Sequence, residues 1–152
     1  MELIEEQRPR ELRFGPIDQL QITLPAYYTA TVACGFPSPA EEYLEERLDI
    51  GKYLVRNELA TFYVYAKGDS MTDAQIADGA LLIIDRSVAP RAGSKVLCYY
   101  EDGFTVKFLR KKGGKLFLHS ANDKMAPLEV KDGVQFQVWG TVTYSINSHH
   151  RW

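Results

Sequence analysis

The chain has 152 residues, of which 45% are hydrophobic and 25% charged, and its 18 basic and 20 acidic side chains give a formal charge of -2. A domain of this length buries roughly 70% of the surface that its unfolded chain exposes, so it needs no disulfide or metal to be stable. We therefore expect Cys34 and Cys98 to be free thiols, with no zinc site and no cofactor. The near-neutral charge argues against a protein that holds a nucleic acid backbone by itself.

The first 34 residues carry 3 basic and 5 acidic side chains, whereas residues 35–152 carry 15 of each. Residues 19–40 contain no charged side chain, but Pro25 and Pro37 interrupt them, which argues against a membrane span. The N-terminal segment contains Glu2, Glu5 and Glu6 where a secretory leader would carry basic residues. We therefore expect a cytoplasmic location. We predict that residues 19–36 form an extended arm lying on protein. A first strand of the domain's own sheet is the alternative.

One helix is predicted after this arm. Ser38 begins an S-x-x-E capping box with Pro39 at the first helical position, and an apolar stripe backed by glutamates continues to about Leu48. Asp49 is expected to end the helix. A second, shorter helical piece is possible at residues 52–55.

The rest of the chain reads as strands. Runs of β-branched and aromatic residues alternate with Asp-Gly, Ala-Gly and Gly-Gly turn signals. We predict a mainly β fold, a compact and mostly antiparallel domain with an extended N-terminal arm and one short helix. The six predicted strands cover residues 61–66, 80–85, 95–100, 104–109, 115–119 and 134–144.

A serine follows the first of these strands in the tetrapeptide Gly68-Asp69-Ser70-Met71. A short helical turn is predicted next, at residues 71–76. A serine at such a turn lies beside backbone N–H groups, which can stabilise an oxyanion, as a serine nucleophile requires. The simpler interpretation is that Ser70 only caps the turn.

A lysine occupies an unusual place in the strand predicted at residues 104–109. Strand alternation puts Phe104, Val106 and Phe108 on one face and Lys107 on the other. Lys107 is exposed if only the aromatic face is covered. It is desolvated, with a pKa below its ordinary value, if both faces are covered, and its neutral amine could then take a proton from a serine. His119 is another candidate base, but no carboxylate signature accompanies it.

These motifs resemble the UmuD family of polymerase accessory subunits, within the wider group of LexA-type serine-lysine self-cleaving proteins. The resemblance covers most of residues 33–144. Cys34 lies 36 residues before Ser70, and Lys107 lies 37 residues after it, as in that family. The matching strings are Ala33-Cys34-Gly35-Phe36-Pro37-Ser38-Pro39-Ala40, Lys67-Gly68-Asp69-Ser70-Met71, Ile76-Ala77-Asp78-Gly79, Phe104-Thr105-Val106-Lys107 and Val138-Trp139-Gly140-Thr141-Val142.

The resemblance implies a serine peptidase that acts on its own chain. The peptide bond between Cys34 and Gly35 would be the substrate, Ser70 the nucleophile and Lys107 the general base. Backbone N–H groups of Asp69 and Ser70 would form the oxyanion hole. Residues 1–34 would then be an arm removed by self-cleavage, and residues 35–152 a domain of the LexA/UmuD C-terminal peptidase type.

The resemblance also implies a place in the SOS response to DNA damage. A RecA filament on single-stranded DNA would stimulate cleavage by favouring the cleavage-competent position of the arm. The processed homodimer would serve as accessory subunit of a Y-family, UmuC-like DNA polymerase in error-prone translesion synthesis. Direct sequence-specific DNA binding and membrane association are not expected.

Three other functions compete with this one. A LexA-like or phage-type self-cleaving repressor would share the peptidase but needs a helix-turn-helix before the cleavage site, which 34 residues containing Pro9, Pro16 and Pro25 cannot hold. A Gly-Asp-Ser esterase needs a carboxylate and a histidine near the C-terminus, and the carboxylate is missing. A non-catalytic β binding module remains open if Lys107 is exposed.

Overall fold

The computed structural model describes residues 14–16, 26–28 and 45–150. None of the helices in these ranges has both the length and the apolar character that a membrane crossing demands. In chain order the elements are β1 (Phe14–Pro16), β2 (Ala26–Tyr28), β3 (Glu45–Arg47), α1 (Ile50–Leu54), β4 (Thr61–Tyr65), a 3-10 turn (Thr72–Ala74), β5 (Leu81–Asp85), β6 (Lys95–Tyr100), β7 (Gly103–Lys112), β8 (Lys115–His119), β9 (Leu128–Val130) and β10 (Phe136–Ile146).

The strands form one large antiparallel sheet and one small one. The large sheet has eight strands in the order β1-β4-β5-β10-β6-β7-β8-β9, and β2 pairs with β3. The longest strand, β10, joins the two halves of the large sheet because one part pairs with β5 and the other with β6. The predicted fold class, mainly β and mostly antiparallel, is confirmed.

All six predicted strands are present, as β4, β5, β6, β7, β8 and β10. The structure extends two of them, carrying β7 on to Lys112 and β10 to Ile146. Strand β9, which has only three residues and pairs with β8, was not predicted from the sequence. A three-residue strand shows too little alternation for its period to be recognised.

The predicted helix ending near Leu48 is wrong in its last turn. Residues 38–44 lie outside the described residues, but Glu45–Arg47 form strand β3, whose backbone pairs with β2. This pairing overrides the local helical pattern. Asp49 does not end a helix but begins α1, accepting a hydrogen bond from the Lys52 backbone N–H at 3.1 Å. Helix α1 overlaps the second helical piece that the sequence indicated.

Residues 1–34 are described at two places, of which only Ala26–Tyr28 falls in the predicted extended segment 19–36, and both are strands. Phe14–Pro16 adds β1 to the edge of the large sheet by pairing with β4. Ala26–Tyr28 pairs with β3, with Tyr28 opposite Glu45. The described part of residues 19–36 is therefore extended backbone. The rest of the arm lies outside the described residues.

The large sheet carries side-chain clusters on both faces of β6 and β7. One cluster contains Leu97 and Leu82, with Phe104 and Val106 packed against it. The other contains Val96, Cys98 and Leu118. Side chains alternate between faces along a strand, so β6 supplies one cluster with its odd positions and the other with its even positions. These strands are covered on both sides, and this layering determines the environment of β7.

Candidate active site

Ser70 lies in a turn formed by residues 68–72, which we call the Ser70 turn, and its side chain is half-buried. Gly68 has φ +92, a left-handed conformation that favours glycine, and its N–H donates to Asp78 Oδ1 at 2.7 Å. At the base of the loop, Ala66 accepts from the Gly79 N–H at 2.8 Å. Met71 is 3% exposed and anchors the turn in the core. The backbone is therefore fixed before Ser70 by the Gly68 hydrogen bond and after it by the buried Met71 side chain.

The peptide that joins Asp69 to Ser70 has a fixed orientation. The Asp69 carbonyl accepts from Thr72 Oγ1 at 2.7 Å, from the Thr72 N–H at 3.2 Å and from Asn122 Nδ2 at 3.4 Å. A peptide is planar and trans, so its N–H points opposite to its carbonyl. The N–H groups of Asp69 and Ser70 form no hydrogen bond with another described residue. They are available as the predicted oxyanion donors.

A cleft of about 550 Å³ opens beside the turn. Ser70 lines it together with Thr105 and Val106 of β7. Its wall is largely apolar, with Leu97 and Phe104, and Lys67 is the charged residue among the described lining residues. Burying a charged side chain against such a wall is costly, whereas an uncharged segment loses little hydration there. The cleft therefore suits a substrate segment without charges.

Lys107 is 7% exposed, which settles the question that alternation left open. It lies opposite Val96 in the β6–β7 ladder, so its side chain points to the face of the Cys98 cluster, while Val106 packs on the other face. Desolvation lowers the pKa of Lys107, and the nearby Cys98 opposes this effect. A buried amine with a lowered pKa is suited to act as a base.

The Lys107 amine donates to Ser120 Oγ at 2.8 Å. The described residues contain no hydrogen bond between Ser70 and Lys107, and Lys107 is not part of the cleft lining. Ser120 was not predicted from the sequence. The Gly113-Gly114 turn could have indicated it, because a tight hairpin between β7 and β8 pairs Phe108 with His119 and so places Ser120 opposite Lys107.

The segment after β8 connects the lysine to the Ser70 turn. Ser120 holds the Lys107 amine, the Ala121 carbonyl accepts from the Asp73 N–H at 3.0 Å, and the Asn122 amide reaches the Asp69 carbonyl. Three consecutive residues therefore contact both the predicted base and the backbone beside the predicted nucleophile. Residues 120–122 are the shared support of the two groups.

Other predicted groups have different outcomes. Cys34 and Gly35, the predicted cleavage site, lie outside the described residues. The ring of His119 packs edge-on against Phe117 at 6.3 Å, and no described carboxylate contacts it. Within the described ranges, no group of three or more His, Cys, Asp or Glu side chains could hold a metal ion.

Cys98 is expected to resist alkylation in the folded protein. It is fully buried, and desolvation raises the pKa of its thiol to about 11, although the charge of Lys107 acts in the opposite direction. Only the thiolate reacts, and about 0.1% of such a thiol is ionised at pH 8. Peptide mapping after iodoacetamide treatment at pH 8 should find Cys98 unmodified in native protein and modified in denaturant. Equal modification in both conditions would contradict this burial.

A profile of the Peptidase S24-like family matches residues 25–143 of this sequence. The match spans the Ser70 turn, the cleft, β7 and the support at residues 120–122. The chain belongs to the S24-like peptidase family. Membership supports a serine peptidase that cleaves its own chain.

This S24 peptidase chain is similar to proteins of Salmonella typhimurium and Shewanella piezotolerans. It is 33% identical to Protein MucA of Salmonella typhimurium over 123 residues, which cover 81% of this chain and 84% of MucA. It is 36% identical to Protein SamA of Salmonella typhimurium strain LT2 over 132 residues, 86% of this chain and 89% of SamA. It is also 36% identical to the LexA repressor of Shewanella piezotolerans over 113 residues, 74% of this chain but 53% of the repressor.

Proposed function

We propose that this chain is a self-cleaving serine peptidase in which Ser70 attacks the peptide bond between Cys34 and Gly35 and Lys107 acts as the base. The observation that carries the proposal is the burial of Lys107 on β7, the strand that also supplies Thr105 and Val106 to the cleft lined by Ser70. A structural lysine on an antiparallel strand is normally exposed. A buried amine on a strand that also lines the Ser70 cleft, in an S24 family member, favours catalysis.

The reaction proceeds in two halves. The neutral Lys107 amine takes the Ser70 proton as Oγ attacks the Cys34 carbonyl carbon, and the resulting oxyanion accepts from the backbone N–H groups of Asp69 and Ser70. The Lys107 ammonium then gives its proton to the leaving amine of Gly35 as the C–N bond breaks. Water hydrolyses the Cys34 ester on Ser70 with Lys107 again as base, and the serine is regenerated.

The substrate segment matches the cleft in polarity. Residues 19–40 carry no charge, and the cleft wall is largely apolar. An extended segment in the cleft would bring its scissile carbonyl to Ser70. Hydrogen bonds between catalytic groups often form only when substrate enters, so a Ser70–Lys107 bond is not required in the free protein.

The relatives support an SOS-related role. MucA and SamA align with more than four fifths of this chain, and a LexA repressor aligns with 74% of it. The chain is an SOS-related protein whose cleavage is stimulated in the cytoplasm by a RecA filament on single-stranded DNA. The product, residues 35–152, acts as a homodimer with a Y-family, UmuC-like polymerase in translesion synthesis. Cleavage separates it from the 34-residue arm and makes the new N-terminus at Gly35.

Replacement of Ser70 with alanine tests the peptidase directly. Purified full-length protein should convert to the 118-residue fragment that begins at Gly35, slowly at raised pH and faster with RecA, single-stranded DNA and a nucleotide. Ser70→Ala should reduce this rate by about a thousandfold or more, because the nucleophile is lost. Intact mass and N-terminal sequencing identify the product. The exposed Ser148→Ala variant is the matched control and should cleave like the wild type. A fragment that still forms in Ser70→Ala would refute the assignment.

A further inference from the structure

The proposed reaction leaves Ser120 without a role, although it contacts the base. Its Oγ lies 2.8 Å from Lys107 Nζ. Phe108 pairs with His119 in the β7–β8 ladder, so the next position in register sets Ser120 opposite Lys107. Leu118 of the same strand is fully buried in the cluster on that face. The pairing register of the β7–β8 hairpin therefore places the Ser120 hydroxyl next to the Lys107 amine.

Ser120 is the sole hydrogen-bond partner of the Lys107 amine among the described residues. The other neighbours on that face include Val96, which is fully buried and offers no acceptor, and Cys98, whose Sγ is directed to the Thr105 carbonyl at 3.6 Å. A lysine side chain has several rotatable bonds, so packing alone orients its terminal amine poorly. The hydroxyl of Ser120 is what orients it.

We propose that Ser120 is a positioning residue for the self-cleavage reaction, accepting one N–H of Lys107 and so fixing the direction of the amine's lone pair. This inference rests on the proposed function. A neutral amine has two N–H donors and one lone pair. Holding one N–H restricts rotation about the Cε–Nζ bond, and the lone pair is then confined to a narrow range of directions.

The position of Ser120 is itself tied to the nucleophile. The two residues after it bond to the region of the Ser70 turn, through the Ala121 carbonyl to the Asp73 N–H and through Asn122 to the Asp69 carbonyl. The acceptor of the amine and the backbone beside the nucleophile are therefore joined by hydrogen bonds through residues 120–122. These bonds restrict movement of Ser120 relative to the Ser70 turn.

The charged groups around Lys107 are few, so its titration reports on Ser120. Cys98 on β6 is the titratable group that acts on it electrostatically. Lys95 on β6 and His119 on β8 both lie opposite Phe108, and their side chains therefore point to the other face of the sheet. A hydroxyl acceptor stabilises the ammonium form, so removing it should lower the pKa of Lys107 further.

Three variants test the proposal. In Ser120→Ala, the plateau rate of self-cleavage at high pH should fall by about ten- to a hundredfold, because the amine is no longer oriented. The midpoint of its pH profile should move to lower pH. Ser120→Thr keeps the hydroxyl and should restore both rate and midpoint. Ser94→Ala is the matched control, since the half-buried Ser94 hydroxyl also makes a 2.8 Å bond, from the Arg91 N–H.

A second measurement separates this proposal from the proposed function. NMR titration of ¹³C-labelled lysine in Ser70→Ala protein measures the pKa of Lys107 in a protein that does not cleave itself. Ser120→Ala should lower that pKa and Ser94→Ala should not. Wild-type protein that forms no Ser70-dependent fragment would refute the peptidase but leave the NMR result to decide whether Ser120 orients the amine. An unchanged Lys107 titration, or a Ser120→Ala plateau rate equal to or above that of the wild type, would overturn the role of Ser120.

Discussion

Replacing Lys107 with methionine is expected to abolish self-cleavage and, at the same time, to raise the free energy of unfolding at neutral pH by about 1–2 kcal/mol. Cleavage should fall by about a thousandfold or more, because the base is lost. The stability gain arises because Lys107 is only 7% exposed and faces the cluster that contains Val96 and Cys98. Methionine is a flexible apolar side chain of similar length that can fill the same space.

The pH dependence of this gain has a definite sign. The pKa of Lys107 lies below its ordinary value of 10.5 in the folded protein because of desolvation. Between the two pKa values the unfolded chain binds more protons than the folded one, so the wild type becomes more stable as pH rises through that interval. Lys107→Met lacks this contribution. Its advantage should be largest below the lowered pKa and should decrease as pH rises toward 10.5.

Urea unfolding followed by circular dichroism measures this difference, at several values between about pH 6 and about pH 8.5. Staying below pH 9.0, the ordinary pKa of cysteine, keeps Cys98 mostly protonated in both folded and unfolded chains. Lys112→Met, an exposed position on the same strand, is the matched control and should change neither stability nor cleavage. A Lys107→Met protein that is less stable than the wild type, or whose advantage grows with pH, would contradict the desolvated lysine.

The second large effect is expected at Gly140, where valine should destabilise the fold by about 3 kcal/mol. Gly140 is buried in β10 next to a register shift between β10 and β6. An added Cβ would lie 2.6 Å from Ile84 Cγ2 and 3.3 Å from the Asp85 carbonyl oxygen. Ile84 is fully buried and β-branched, so it cannot rotate away cheaply. A loss of this size is a large share of the stability of a typical domain.

Thermal or urea unfolding of a series at position 140 tests this packing. Gly140→Ala should lie between the wild type and Gly140→Val, because the clash already begins with Cβ. Gly103→Ala is the control: Gly103 is also a strand residue, but nothing lies within 4 Å of its added Cβ. Should Gly140→Val unfold at the same urea concentration as the wild type, β10 would not pack against Ile84 as described.

Local signals predicted most of the sheet. Alternating β-branched and aromatic residues, punctuated by Asp-Gly and Gly-Gly turns, located six strands of the eight-stranded sheet. The predicted helix toward Leu48 is wrong at Glu45–Arg47, because these residues pair with Ala26–Tyr28, which lie between seventeen and twenty-one residues earlier in the chain. A local pattern contains no information about a distant pairing, and such pairing can override helix propensity.

The site residues also fall into those that the sequence indicated and those that only the structure shows. Ser70 and Lys107 were identified from sequence, by their local context and by the spacing of a family pattern. Ser120 was not, because its role depends on the register between β7 and β8 and carries no motif of its own. The support from Ala121 and Asn122 to the Ser70 turn likewise joins residues about fifty positions apart.

The sequence by itself determined the fold class, the positions of the main strands and the family, because strand period, turn residues and motif spacing are local or linear properties. It also placed Lys107 on the face of β7 opposite Val106. Only the tertiary structure decided that this face is covered. Burial depends on what packs above a strand, and alternation tells which side chains share a face without telling what lies over it. That covering layer is what desolvates the amine and makes Lys107 a candidate base rather than a surface charge.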